Sequence, residues 1–209
     1  MGLQYMATTN HTKSLFIARG MDEKKFAAYF KKVDALNENL GSKFRVLKGA
    51  EVDILKDGRL DLEKKSLESM ECVVASVHSS LKMEKEAMTN RIVRALDTGL
   101  VKILGHPTGR DMPKRGPYDL DLDKVFEAAE RNNVALEINS YPSRLDLNDV
   151  NIMAASKYKV MFSLGTDAHR ISHLHFMRYG VGMARRGWLI PERIVNTLDR
   201  SKIEKWISK

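Results

Sequence analysis

The feature that most constrains this chain of 209 residues is a regular alternation of short apolar segments with amphipathic ones. Six segments are rich in apolar and β-branched residues and predict strands: 3–9, 44–52, 71–77, 101–105, 134–139 and 160–166. Between most of them, apolar residues recur with helical spacing, as at Met88, Ile92 and Ala95. The alternation predicts an α/β protein with a mainly parallel sheet.

Turn and helix-end residues fall where this pattern expects them. Gly41 and Gly99 follow two of the amphipathic segments and suit the carboxyl ends of helices. The segment "LKDGRLDL" has Asp-Gly between alternating residues and predicts a small hairpin.

Two architectures fit the alternation: a doubly wound open sheet and a closed barrel. A doubly wound sheet concentrates its site at one switch point, which two or three strand ends usually supply. In a barrel, every strand ends at the same mouth. Here polar residues lie at or just after the carboxyl ends of all six predicted strands, and this favours a barrel: His11, Glu51, His78, His106, Asn139 and Asp167.

Composition narrows the class of protein. A content of 43% hydrophobic and 30% charged residues predicts a soluble domain with a core. No apolar run approaches the roughly 20 residues of a membrane helix, and a lone Cys72 suits a reducing cytoplasm. The net charge of +8 suits a phosphate-rich ligand, although an ordinary lysine-rich surface explains it as well.

Histidines and carboxylates at the strand ends predict a metal site. Imidazole and carboxylate together suit Zn, Mn or Fe, whereas a calcium site would use oxygen alone. A single histidine in such a place is more often structural, so the prediction depends on the whole set. The candidate ligands are His11, Glu51, His78, His106, Asp167 and His169.

Such a centre predicts hydrolysis of a phosphate ester through metal-bound hydroxide. Glu51 is the natural bridging ligand, because a carboxylate has two oxygens. Basic side chains beside the metals would hold the phosphoryl oxygens, and Arg110 and Arg144 are the preferred candidates. Surface ion pairs are the alternative for both.

Successive motifs resemble those of the PHP (polymerase and histidinol phosphatase) domain, most of all the C-terminal domain of bacterial and archaeal family X DNA polymerases. They occur in the family's order over nearly the whole chain: "TTNHTKSLFIARGM", "GAEVDILKDGRLD", "ASVHSS", "ILGHPTGR", "ALEINSYPSRLDLND", "GTDAH" and "LHFMRYGVGMARRGWL".

The resemblance implies an irregular (β/α)7 TIM-like barrel with a trinuclear metal site. In that arrangement Glu51 bridges two metals, His78 and His106 join it at one of them, and Asp167 serves the other. His11 and His169 would serve a third metal. In the polymerases the domain is associated with 3′–5′ exonuclease and end-processing phosphatase activity.

The chain departs from the family's pattern at its start. Nothing matches the opening strand with its His-x-His motif, and Asn10 stands where an Asp usually precedes the second-strand histidine. We therefore expect residues 1–209 to form a single PHP domain that lacks its first β/α unit and binds one to three metal ions. Open strand edges would then favour a homo-oligomer.

Three functions remain open at this point. The first is a cytoplasmic, metal-dependent phosphoesterase acting on small phosphate esters or on DNA 3′ ends, without membrane attachment. The second is a catalytically impaired fragment that serves as a metal-binding, DNA-binding or assembly scaffold. The third is a small-molecule phosphatase like the histidinol phosphatases.

Overall fold

The computed structural model describes residues 2–208, and its centre is a parallel sheet of six strands. Each strand begins and ends within two residues of its predicted bounds. The strands are β1 (Tyr5–His11), β2 (Arg45–Asp53), β3 (Cys72–Ser76), β4 (Ile103–Leu104), β5 (Ala135–Asn139) and β6 (Phe162–Gly165).

The strands follow one another in the sheet in chain order, and every neighbouring pair is parallel. A doubly wound sheet reverses its order at a switch point, so this order excludes that alternative. The sheet is a curled half-barrel, consistent with part of a TIM-like barrel. The count of seven units and the homo-oligomer stay predictions.

Seven α-helices accompany the sheet in the described residues. They are α1 (Glu23–Leu40), α2 (Lys64–Glu68), α3 (Lys85–Leu96), α4 (Leu122–Arg131), α5 (Asp149–Ala155), α6 (Met177–Arg186) and α7 (Arg200–Ile207). None of the helices within residues 2–208 is both long and apolar enough to cross a membrane.

Local side-chain chemistry sets the helix ends. Asp22 begins α1 by accepting a hydrogen bond from the Lys25 amide. Asp121 begins α4 by accepting one from the Lys124 amide. Gly41 ends α1 with φ +57°, a conformation in the left-handed region that other residues rarely adopt. The predicted role of Gly41 is therefore confirmed.

The predicted hairpin is present as a tight turn after β2. Ile54 and Leu60 form an antiparallel bridge, and Gly58 turns the chain at φ +88°. A Cβ on Gly58 would lie 2.8 Å from the Arg94 Cβ and 2.9 Å from the Arg91 carbonyl oxygen, so the turn packs directly on α3.

The two faces of the sheet have different coverings. On the face toward the helices, α1 buries Phe26 and Phe30 against Ala50 and Val52 of β2. On the other face, the amino ends of four strands form an apolar layer with Val195 and Ile203 of the C-terminal segment; the strand residues are Leu47, Cys72, Ile103 and Ala135. The carboxyl ends on that same face stay polar.

Candidate metal centre

Parallel register brings the predicted ligands to one edge of the sheet. His11 ends β1 and is paired with Glu51 of β2, and the His78 and His106 side chains follow β3 and β4. Because all six strands run the same way, their carboxyl ends share one rim.

Glu51 stands at the middle of three imidazoles. Its Oε2 lies 3.3 Å from His11 Nδ1, and its Oε1 lies 3.1 Å from His78 Nε2 and 3.0 Å from His106 Nε2. One ligand atom from each of His11, Glu51 and His78 fits within a mutual distance of 4.8 Å. Four of the six predicted ligands are thus gathered at one carboxylate.

The polar atoms of this cluster fit a divalent cation. His11 Nδ1 and His78 Nε2 are buried and lack a hydrogen-bond partner, although both face Glu51. Buried polar atoms without partners are rare in folded proteins. Two imidazole nitrogens and a carboxylate at this spacing are the donors that zinc and manganese accept.

The protonation of the cluster reflects its burial. Burial lowers the pKa of His11 and so favours the neutral imidazole that binds metals. Burial would raise the pKa of Glu51, but the His106 and His78 imidazoles more than offset this and hold it well below its ordinary value. Glu51 is therefore a carboxylate across the physiological pH range.

A second carboxylate orients His78. Asp53 is 3% exposed, and its Oδ1 lies 2.9 Å from His78 Nδ1. Burial lowers the pKa of His78, but the neighbouring carboxylates of Asp53 and Glu51 raise it to about 9 overall. A carboxylate behind a histidine fixes the orientation of the ring, so that Nε2 is directed at Glu51 and would bind a metal ion once the ion displaces its proton. Sequence reasoning missed Asp53, although its position two residues after Glu51 places it on the same face.

Asp167 and His169 lie at the same rim but outside this cluster. Asp167 Oδ2 accepts hydrogen bonds from Arg144 Nε at 3.2 Å and Asn139 Nδ2 at 3.3 Å. His169 Nδ1 lies 3.6 Å from Asp167 Oδ1, and the His169 side chain is 61% exposed. The His11 and His169 rings are 6.2 Å apart between centroids, so the pair faces the cluster across a short gap.

Glu137 is a buried carboxyl group that sequence reasoning did not select. Its Oε2 accepts the His106 amide at 2.5 Å. A Cβ at Gly165 would lie 2.1 Å from its Oε1, so glycine leaves the room this side chain needs. Burial and the nearby charge of Asp167 raise the pKa of Glu137 to about 8. The sequence did indicate it, because Glu137 stands two residues before Asn139 on β5 and so points to the same face of the sheet.

The two candidate arginines have different surroundings. Arg144 points its Nε at Asp167, and its Nη1 is buried without a partner. Arg110 instead donates its Nε to the Arg144 carbonyl oxygen at 2.6 Å and its Nη2 to the Leu145 carbonyl oxygen. Arg110 thus holds the loop that carries Arg144, and a direct phosphate contact by Arg110 stays a prediction.

A cavity of about 680 Å³ opens beside these residues. His11, Glu51, Asp167 and His169 line one part of it, and apolar side chains that include Trp206 line another. A volume of this size accommodates a small organic ligand.

Curated proteins similar to this chain fall into two kinds. DNA polymerase/3'-5' exonuclease PolX of Bacillus subtilis is 38% identical over 208 residues, which is 100% of this chain and 36% of that protein. A "Probable phosphatase" of Syntrophotalea carbinolica is 30% identical over 73% of this chain and 65% of that protein. Another, of Thermoanaerobacter sp. X514, is 27% identical over 100% of this chain and 83% of that protein.

Among solved structures, histidinol phosphate phosphatase of Lactococcus lactis has a similar fold, with a TM-score of 0.55 and 17% identity. The match covers 89% of this chain and 83% of that one, whose crystals held zinc, L-histidinol and phosphate. No protein-family model matches the chain. This chain spans about a third of the length of the PolX protein.

Proposed function

The chain belongs to the PHP (polymerase and histidinol phosphatase) family as a domain related to that of PolX, and on that premise we propose that it is a metal-dependent phosphoesterase. The observation that carries the proposal is the convergence of three imidazoles on the Glu51 carboxylate. This donor set is suited to a divalent cation.

In this proposal the cluster holds one or more divalent ions through His11, Glu51, His78 and His106. Zinc or manganese suits these ligands, with iron as a further choice. Such ions activate water and neutralise charge on phosphoryl oxygens. Asp53 holds the Nδ1 proton of His78, and this keeps Nε2 directed at the cluster.

The phosphoryl group would lie between the cluster and Arg144. Arg144 is 16% exposed and has a guanidinium nitrogen without a partner at the rim. A guanidinium matches the geometry of phosphate oxygens in two parallel hydrogen bonds. Arg110 would support this contact by holding the backbone of Arg144 and Leu145.

Asp167 and His169 would complete the centre as further ligands. Asp167 Oδ1 and His169 Nδ1 already face each other at 3.6 Å, and the His169 ring lies near that of His11. Arg144 contacts Asp167 through Nε alone, so its unpartnered Nη1 would bind the phosphate while Asp167 stays in place.

We propose two substrate classes: small phosphate esters, as in a histidinol-phosphatase-like enzyme, and 3′ ends of DNA. The cavity of about 680 Å³ has room for the organic part of a small ester. The exonuclease alternative is supported by the PolX relative and by the net charge of +8.

A catalytically impaired scaffold is the competing function. The observation in its favour is that two predicted ligands lie outside the Glu51 cluster. His169 is 61% exposed, and Asp167 is paired with Arg144. A domain with only the Glu51 cluster would bind metal and turn over slowly.

The test is hydrolysis of p-nitrophenyl phosphate and of a single-stranded oligonucleotide, each with Mn²⁺ or Zn²⁺, by the purified chain. The proposal expects activity that EDTA removes and that Glu51→Gln abolishes. Tight metal binding without turnover of either substrate would favour the scaffold. Neither metal binding nor turnover would contradict both functions.

A further inference from the structure

Arg91 is a buried cation that the proposed chemistry does not use. It lies in α3 and is 2% exposed, which makes it one of the largest fully buried side chains in the protein. No carboxylate of residues 2–208 forms an ion pair with it. Burying a charge without an opposite charge costs several kcal/mol unless other polar groups compensate.

Backbone carbonyl oxygens supply that compensation, and they come from two separate loops. Arg91 Nε donates to the Leu55 carbonyl oxygen at 2.9 Å, and Nη2 donates to that of Ile54. Arg91 Nη1 donates to the Ser79 carbonyl oxygen at 2.9 Å. One guanidinium therefore joins the loop after β2 to the loop after β3.

These loops carry two groups of the candidate metal centre. Ile54 directly follows Asp53, and Ser79 directly follows His78. Between the two loops, His78 Nδ1 lies 2.9 Å from Asp53 Oδ1, and His78 Nε2 lies 3.1 Å from Glu51 Oε1. A change in the separation of the two loops would therefore change the distance between Asp53 and His78, and with it the position of His78 relative to Glu51.

We propose that Arg91 is a positioning residue for the metal centre. Its guanidinium sets the separation of the two loops, so that Asp53 holds the His78 ring with Nε2 toward Glu51. The inference rests on the proposed function in one respect, namely that Glu51 and His78 hold a metal ion. The contacts of Arg91 themselves do not depend on it.

The shape of the side chain explains why arginine is needed. A guanidinium presents five donors in a fixed plane and can reach carbonyl oxygens on both sides at once. A lysine ammonium carries the same charge at a single point. Arg91→Lys therefore keeps the charge and removes the bridge, which is the feature under test.

Arg193 offers a matched control at the opposite end of the sheet. It also donates to three backbone carbonyl oxygens: Val160 at 2.9 Å, Tyr158 at 2.6 Å and Ser156 at 3.3 Å. These carbonyls precede β6, away from the metal centre. Arg193→Lys should thus lose similar contacts without touching the Asp53–His78 pair.

The first experiment measures Mn²⁺ affinity of the whole chain by isothermal titration calorimetry, after circular dichroism confirms the fold. Arg91→Lys is expected to weaken binding by up to about 10-fold, no more than the loss of Asp53 itself, because Arg91 acts through the support behind a ligand. Arg193→Lys should bind as the wild type does. Equal losses in both variants, or no loss in Arg91→Lys, would overturn the inference.

The second experiment needs no metal. In metal-free protein, the Nδ1 proton of His78 should give a downfield NMR resonance because Asp53 accepts it. Arg91→Lys should shift or broaden this resonance, whereas Arg193→Lys should leave it unchanged. If the wild type binds no metal, the proposed function fails, and this resonance alone decides the role of Arg91.

A second variant covers the case in which Arg91→Lys does not fold. Arg91→Gln is shorter and neutral and keeps one donor group, and the same two measurements apply to it. Failure of both variants to fold, with a folded Arg193→Lys, would mean that Arg91 serves the core as a whole, and the positioning role would be overturned.

Discussion

The face of the sheet that carries the metal centre has two ends, which are built from the same strands and differ in what they bury. At the carboxyl ends, carboxylates and imidazoles crowd together, with Glu51, Asp53 and His78 all nearly buried. At the amino ends, Leu47 and Cys72 lie in an apolar layer that α7 covers through Ile203.

This difference separates stability from chemistry. Burying apolar surface stabilises a fold by about 25 cal/mol per Å², whereas burying ionisable groups costs free energy. The carboxyl end also contains His106 and Asp167 with φ of +27° and +49°, conformations that cost roughly 1–3 kcal/mol each outside glycine. The amino end therefore contributes stability, whereas the carboxyl end carries groups whose burial costs it.

The largest expected effect is a loss of activity when a glutamate is changed to glutamine at the polar end, and the same kind of change at the amino end serves as its control. Glu51→Gln removes the carboxylate on which three imidazoles converge, so phosphoesterase activity should fall at least about 100-fold, more than the loss of a supporting group. Initial rates with Mn²⁺ measure it.

Glu71→Gln is the matched change at the amino end, where Glu71 bonds the Arg45 guanidinium and the Lys48 amide. It should lower stability and leave activity per folded molecule unchanged. Similar activity losses in the two variants would remove the distinction between the ends.

Ile203→Ala tests the apolar end. Ile203 is 4% exposed, and truncation of such a residue typically costs 2–5 kcal/mol, so the free energy of unfolding should fall by about that much. Urea denaturation measures the fall, and calorimetry should find Mn²⁺ affinity unchanged in the folded variant. A large loss of affinity would show that the two ends are coupled.

Asp53→Asn sharpens the comparison within the polar end. The amide keeps the size of the side chain but weakens its hold on His78 Nδ1, so Mn²⁺ affinity should fall about 10-fold. A loss of Mn²⁺ affinity smaller than that of Glu51→Gln would show that Asp53 orients a ligand, whereas Glu51 is itself a ligand. Calorimetric titration of both variants under one buffer condition decides this.

The smallest expected effect is a pH dependence at the apolar end. Burial raises the pKa of the Cys72 thiol to about 12, whereas an unfolded chain ionises near 9. The folded state therefore retains the proton above pH 9, and its stability falls as pH rises from there toward 12.

Between pH 8.5 and 10, Cys72 should account for about 1 kcal/mol of lost stability. Cys72→Ala should lack this part of the pH dependence, which urea denaturation at the two pH values measures. Identical pH dependence in the variant and the wild type would show that the thiol is not shielded by the apolar layer.

Much of the fold was predictable because periodicity is local. All six strands were predicted, since each is a short apolar run bounded by polar or turn residues. The gathering of His11, Glu51, His78 and His106 followed from their places at the carboxyl ends of parallel strands. The assignment of these residues as ligands stays a prediction.

The sequence by itself therefore determined the six strands, their mainly parallel direction and the rim on which the polar residues meet. The tertiary structure decided which of those residues touch. It placed Asp53 behind His78, buried Glu137 against Gly165, and turned Arg110 toward backbone carbonyls. Strand and helix periods depend on neighbours in the chain, whereas such contacts depend on sheet curl and loop paths that join residues distant in sequence.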